Sequence, residues 1–287
     1  LTKLKTDKKK FEKFLSLIQG KAKGNDAALG SSSLVNKIVL DAHENEITCL
    51  TASTHGNVME FVRLSGVEVM EEGKISLPIK ETMECLKTLK GGEIEIEFDR
   101  SLKMTDGKSG WEFTTDLIEN IPDFDSRNPW DFLSSPLGTK EEIPKHLQRK
   151  TRVQVTVNSG DVLNAINAGT IAGKRNKTLL VEIEADFEKS QLKMTSGLVG
   201  EKINYTIIDA SDVNVIGDGK NAKSKFSYGI GNVFNNVSGD VEISFISVRD
   251  NFGKFGDNIF VKHDDGTITA IYYISRVAEE AIQVEKA

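Results

Sequence analysis

The chain has 287 residues, enough for two domains of ordinary size, and 38% of them are hydrophobic, as expected of a folded globular protein. No apolar run approaches the roughly 18 residues that a membrane helix needs, which excludes a helix that spans a bilayer. The formal net charge of −6 argues against a surface coated in positive potential, but it leaves room for a basic stripe on one side.

The first predicted element is a helix in TDKKKFEKFLSLIQG (6–20), with Thr6 or Asp7 placed to cap it. Phe11, Phe14, Leu15 and Ile18 recur at i, i+3, i+4 and i+7 and build a core stripe. Lys9, Lys13 and Ser16 fall on the other side, with Lys8, Lys10 and Lys21 nearby. Strands follow at about 35–42, 46–53 and 57–64. A second helix is predicted within 76–92, with Pro78 near its first turn and glycines at its end. Its inward residues are Ile79, Met83 and Leu86, while Lys80 and Lys87 face out together with Glu84.

Ile94, Ile96 and Phe98 then alternate with Glu93, Glu95 and Glu97, the mark of a strand with one buried and one wet face. SLKMTDGKSG (101–110) contains Gly-Lys-Ser, the end of a phosphate-binding loop. Such a loop needs a further glycine five residues ahead of Gly107, where this chain has Leu102. No helix start follows Ser109, so a hairpin turn at Asp106-Gly107 is expected instead. Another strand candidate lies at 111–119. The stretch 120–150 then holds four of the five prolines without sustained periodicity and reads as a long connector.

The second half repeats the pattern. A helix at 158–173 is followed by Lys174, Arg175 and Lys177, and then by alternation of Val181, Ile183, Ala185 and Phe187 with Glu182, Glu184 and Asp186. QLKMTSGLVG (191–200) echoes SLKMTDGKSG at a spacing of 90 residues, and a strand candidate at 202–210 follows it. The weakest helix, 227–239, contains GIGNVF, which lacks the third glycine of a dinucleotide fingerprint. It carries Asn232, Asn235 and Asn236 and no basic residue, although Lys220, Lys223 and Lys225 precede it. Strands at 241–247, 257–263 and 267–275 close the sequence.

The same unit, a helix with a set of strands, therefore occurs four times. Four βαβββ-like units in two domains, with helices confined to one face of antiparallel sheets, make an α+β architecture. The expected domains are 1–121 and 151–287, joined by a connecting loop at 122–150. Quasi-equivalent helices would align their lysines along a common surface. Lysines in a row suit strong, salt-sensitive phosphate contact that ignores base sequence. Glu81, Glu84 and the bare fourth helix weigh against that reading.

Chemistry of other kinds finds little support. Cys49 and Cys85 lie far apart with no second Cys or His at metal-ligand spacing, so buried free thiols and no metal are expected. His43, His55, His146 and His263 show no pairing with a nucleophile, and the carboxylates alternate on wet strand faces. No catalysis and no cofactor are expected.

Three stretches together resemble the DNA sliding clamp family, of the two-domain kind that includes proliferating cell nuclear antigen. They are 71–113, NKIVLDAHENEITCLTAS (36–53), and the stretch from KSKFSYGIGNVF to the paired tyrosines Tyr272 and Tyr273. The resemblance implies a closed ring, with helices lining a hole for duplex DNA and sheets outside, reached by a homotrimer. It implies a processivity factor that tethers DNA polymerase and other replication and repair enzymes, and that a clamp loader places on DNA. Its DNA-binding residues would be Lys9, Lys10, Lys13, Lys21, Lys80, Lys87, Lys174, Arg175 and Lys177. A pocket for partner peptides would be formed by Leu40, His43 and Ile47 with Tyr273, Ile274 and Ser275. Arg276 departs from the family, which has proline there. The lysine-rich start carries no secretory signal, so a cytoplasm, prokaryotic or of a viral host, or a eukaryotic nucleus is expected, with no membrane partner. The alternatives are a clamp paralogue acting in repair or checkpoint signalling, in a mixed ring, and a structural ring without DNA.

Overall fold

The computed structural model describes residues 1–18, 37–52, 58–115, 150–175, 180–197, 203–215, 222–235, 237–249 and 255–277. The chain divides into two compact units: Leu1–Pro129 with Asp264–Ile271, and Trp130–His263 with Tyr272–Ala287. Residues 122–149 of the expected connector, the distal part of the strand predicted at 111–119, and Lys21 and Lys177 lie outside the described residues.

In the first unit, strand β1 (Thr2–Asp7) leads into helix α1 (Lys8–Leu17), followed by β2 (Lys37–His43), β3 (Glu46–Ala52), β4 (Val58–Ser65) and β5 (Glu68–Glu71). The pattern then restarts with β6 (Gly73–Pro78), α2 (Ile79–Thr88), β7 (Glu93–Phe98), β8 (Ser101–Thr105) and β9 (Gly110–Thr114). Asp7 caps α1, its carboxylate accepting the Lys10 amide N–H at 2.9 Å. Phe11, Phe14, Leu15 and Ile18 are fully buried, as their spacing predicts, and the rings of Phe11 and Phe14 stack with centroids 6.0 Å apart. In α2, Ile79 and Leu86 are buried as expected. Thr82 takes the third inward position, and Met83 is only half-buried.

The two repeats of this unit exchange their leading strands. β1 pairs with β7, so one sheet runs β5-β1-β7-β8-β9, while β6 pairs with β2 and extends β4-β3-β2. Neither repeat can complete its sheets without the other, which is why two repeats make one folding unit.

The second unit follows the same plan. β10 (Lys150–Asn158), α3 (Ser159–Arg175), β11 (Leu180–Asp186), β12 (Gln191–Gly197), β13 (Ile203–Asp209) and β14 (Asp212–Val215) form its first repeat. The second repeat is β15 (Ala222–Ser227), a 3-10 turn at Tyr228–Ile230, α4 (Gly231–Phe234), β16 (Asp240–Arg249) and β17 (Phe255–Asp264). β18 (Ile268–Ile274) completes the pattern; its residues through Ile271 belong to the first unit, and those from Tyr272 to the second. β15 pairs with β11 in the sheet β13-β12-β11-β15, and β10 pairs with β16. The fourth helix is much shorter than 227–239, a single α-turn after the 3-10 turn.

The register explains the near-identical phrases. Leu102 and Met104 are buried opposite Phe98 and Ile96, and Leu192 and Met194 are buried opposite Ala185 and Ile183. In both repeats the intervening lysine, Lys103 or Lys193, stands on the wet face. The Gly-Lys-Ser stretch is a hairpin turn, as predicted. Gly107 takes φ +82°, where a Cβ would be strained, and the Asp106 carboxylate accepts backbone N–H groups from Lys108 and Ser109.

Candidate functional site

The helices of each unit lie side by side, α1 against α2 and α3 against α4, and the outward faces of α1 and α2 carry candidate residues. Burial of Phe11, Phe14, Leu15 and Leu17 leaves Lys9 and Lys10 exposed on α1. Burial of Ile79, Thr82 and Leu86 likewise leaves Lys80 and Lys87 exposed on α2, two turns apart on one stripe. The side chains of these four lysines make no hydrogen bond and no ion pair among the described residues.

Two neighbouring lysines are already engaged. Lys8 Nζ donates to the Leu89 carbonyl at 2.6 Å, which ties the start of α1 to the end of α2. Lys13 Nζ lies 2.6 Å from the Asp265 carboxylate, in the turn between β17 and β18. Burial would push the Asp265 carboxyl up. The hydrogen bond from Lys13, with backbone N–H groups of Ile268 and Thr267, outweighs that and holds it at about 2. Lys13, expected to meet DNA, is thus also a structural link within its unit.

The second unit differs. The outward face of α3 presents Asn164, Asn167 and Ile171, the last 63% exposed, and α4 presents Asn232 with Asn235 just beyond it. Lys174 and Arg175 are the last two residues of α3, and their side chains lie outside the described set.

The six residues expected to receive partner peptides divide between the units. In the first, Leu40 and Ile47 are fully buried on adjacent strands, while His43 keeps 20% of its side chain exposed. His43 Nε2 lies 3.0 Å from Glu46 Oε1, its partner across the β2–β3 hairpin. In the second unit Ile274 is buried, and Tyr273 and Ser275 are half-buried. Asn258, which the sequence did not single out, holds this segment. Its Nδ2 donates to the Tyr273 hydroxyl at 2.5 Å, and its Oδ1 accepts the Arg276 N–H at 2.9 Å. Arg276 lies against Gly256, where a Cβ would collide with the guanidinium.

The strand carboxylates have lysine partners. Lys3 and Lys5 pair with Glu95 and Glu93 at 2.6 and 2.9 Å, and Lys223 reaches Glu182 at 2.8 Å. Among the described residues no three His, Cys, Asp or Glu come together in a way that could hold a metal ion. No described helix is long and apolar enough to cross a membrane.

Two outermost strands carry exposed apolar residues that the sequence reading passed over. On β13, Ile203, Tyr205 and Ile207 alternate outward with 43%, 67% and 51% exposure. With Asp186, Lys189, Gln191, Lys193 and Thr195 they line a shallow groove of about 340 Å³. On β9, Trp111 is 46% exposed, its indole N–H donating to the Thr88 hydroxyl at 2.7 Å.

No protein-family model matches the chain, and no curated protein matches it. Solved structures do. A PCNA from Thermococcus kodakaraensis superposes with a TM-score of 0.66 at 13% identity, over 96% of this chain and 100% of that one. The chain has the DNA clamp fold. A. fulgidus PCNA, solved with the C-terminal region of FEN-1 bound, gives 0.64 at 12% identity over 97% and 99% of the two chains. The beta subunit of DNA polymerase III from Thermotoga maritima gives 0.67 at 13% identity, over 97% of this chain and 66% of that one. This clamp-fold chain thus spans the full length of the PCNA chains and about two thirds of the beta subunit.

Proposed function

We propose that this protein is a sliding clamp: a ring of three chains that encircles duplex DNA without reading its sequence and tethers DNA polymerase and other replication or repair enzymes. The observation that carries the reading is the set of exposed, unengaged lysines Lys9, Lys10, Lys80 and Lys87 on the paired helices of a clamp fold. Free ammonium groups on one helix surface suit a phosphate backbone, and a structural ring has no use for them there. The ring supplies topology and carries out no chemistry. The residues proposed to receive partner peptides are Leu40, His43 and Ile47 of the first unit and Tyr273, Ile274 and Ser275 of the second, of which His43, Tyr273 and Ser275 keep accessible surface. A clamp loader is the partner that opens the ring onto DNA.

Closure is the role of β9 and β13. An outermost strand with exposed apolar side chains is a template for pairing with another chain. Pairing β13 of one chain with β9 of the next is head-to-tail, and such contacts make a ring when the rotation closes. Light scattering at micromolar concentration tests this. The expected mass is three times the 31.6 kDa of the single chain, about 95 kDa. A particle of one chain that assembles only with a paralogue would replace the homotrimer with a mixed ring.

A further inference from the structure

We infer that the two units contact duplex DNA by different chemistry: the first unit's helices bind phosphate by charge, and the second unit's helices offer neutral amides. This rests on the reading of the chain as a clamp. In the first unit the exposed residues Lys9, Lys10, Lys80 and Lys87 share their helices with the exposed carboxylates of Glu81 and Glu84 and the half-buried one of Glu12. On the exposed faces of the second unit's helices asparagine stands three times, as Asn164, Asn167 and Asn232, and a fourth, Asn235, is exposed just beyond α4. The one charged residue exposed on those helices among the described side chains is Asp161, in the first turn of α3.

This difference has a physical signature. An ammonium that neutralises a phosphate releases a condensed counterion, so each such contact steepens the dependence of affinity on salt by about 0.9 in log–log slope. An amide can donate to a phosphate oxygen directly or through water, but it neutralises nothing and releases no ion. The salt slope of binding therefore belongs to the first unit. The second unit holds the duplex by contacts that are easily broken and remade, which favours sliding over arrest.

The experiment measures equilibrium binding of the intact protein to a fluorescent 30-base-pair duplex, about three helical turns of B-DNA, across a salt series. Three variant sets are compared after their oligomeric mass has been matched to the parent. Lys9→Gln with Lys10→Gln, Lys80→Gln and Lys87→Gln should lower affinity about tenfold or more at low salt and flatten the slope. Asn164→Ala with Asn167→Ala, Asn232→Ala and Asn235→Ala should leave the slope unchanged and weaken binding by a similar small factor at every salt concentration. Lys174→Gln with Arg175→Gln should flatten the slope much less than the four-lysine set. The inference is overturned if the asparagine set flattens the slope as much as the four lysines do, or if the Lys174 and Arg175 set flattens it as much per charge removed. It is overturned equally if the four-lysine set leaves the slope intact while the parent binds. A parent protein that binds duplex at no salt concentration overturns it as well, since its lysines then make no measurable phosphate contact, whereas failure to be retained on a duplex with blocked ends is what refutes the clamp reading itself.

Discussion

At the scale of single residues, two carboxylates organise the first unit. Asp106 accepts backbone N–H groups from Ser109, Gly91, Lys108 and Lys90, which hold its carboxyl well below the usual aspartate range. One side chain thus fixes both the β8–β9 turn and the segment that follows α2. Asp106→Ala should lower the thermal midpoint measurably, while Asp106→Asn, which keeps one acceptor oxygen but turns an amide NH2 toward the other pair of backbone N–H groups, should recover only part of the loss; scanning calorimetry would compare them. Asp265 is the second case. Its folded value of about 2 lies below the aspartate norm of about 3.9, so the stabilisation is full above about pH 4 and is lost as pH falls through 2. Both partners in the Lys13–Asp265 pair keep about a third of their side chains exposed, so solvent screening limits it to below about 1 kcal/mol. Lys13→Met should cost that much at pH 7 and almost nothing at pH 2, read from urea unfolding at each pH. Because Lys13 is a structural link, a loss of DNA binding in a Lys13 variant would not isolate phosphate contact. Lys9 and Lys10 are the cleaner probes.

At the scale of elements, burial decides what each helix and strand can do. Phe14 is fully buried on the inward face of α1, stacked on Phe11, and Phe14→Ala should cost about 3–5 kcal/mol in chemical denaturation. β13 shows the opposite case. Ile203 and Ile207 stand in water, so Ile203→Lys with Ile207→Lys should leave the melting temperature of the isolated chain within a few degrees while breaking the assembly into single chains. Most of the helices and strands were legible because their alternation was strict, as in Ile94, Ile96 and Phe98. The strands that lead into helices were harder to see. In β1 the buried positions are Thr2, Leu4 and Thr6, and in β15 they are Ala222, Ser224 and Phe226, so small and hydroxylated residues replace the apolar ones that carry periodicity. Thr82 took the position assigned to Met83 for the same reason: a threonine packed in a helix core looks polar in a pattern of hydropathy. The candidate lysines could be read from helix phase alone. The Lys13–Asp265 pair could not, since 252 residues separate its partners, and neither could the hold of Asn258 on Tyr273.

At the scale of the whole molecule, the fourfold repeat gives two units in which paired repeats exchange their first strands, and each unit sets two helices side by side. The proposed ring depends on topology more than on affinity, and that difference can be measured directly. The protein is allowed to thread onto a linear duplex with free ends, both ends are then blocked with a bulky protein, and retention is followed through a high-salt wash. Encirclement predicts that the protein stays on the blocked duplex through salt that abolishes its charge contacts and leaves when the duplex is cut between the blocks. Dissociation at the same rate from blocked and unblocked duplexes would contradict it.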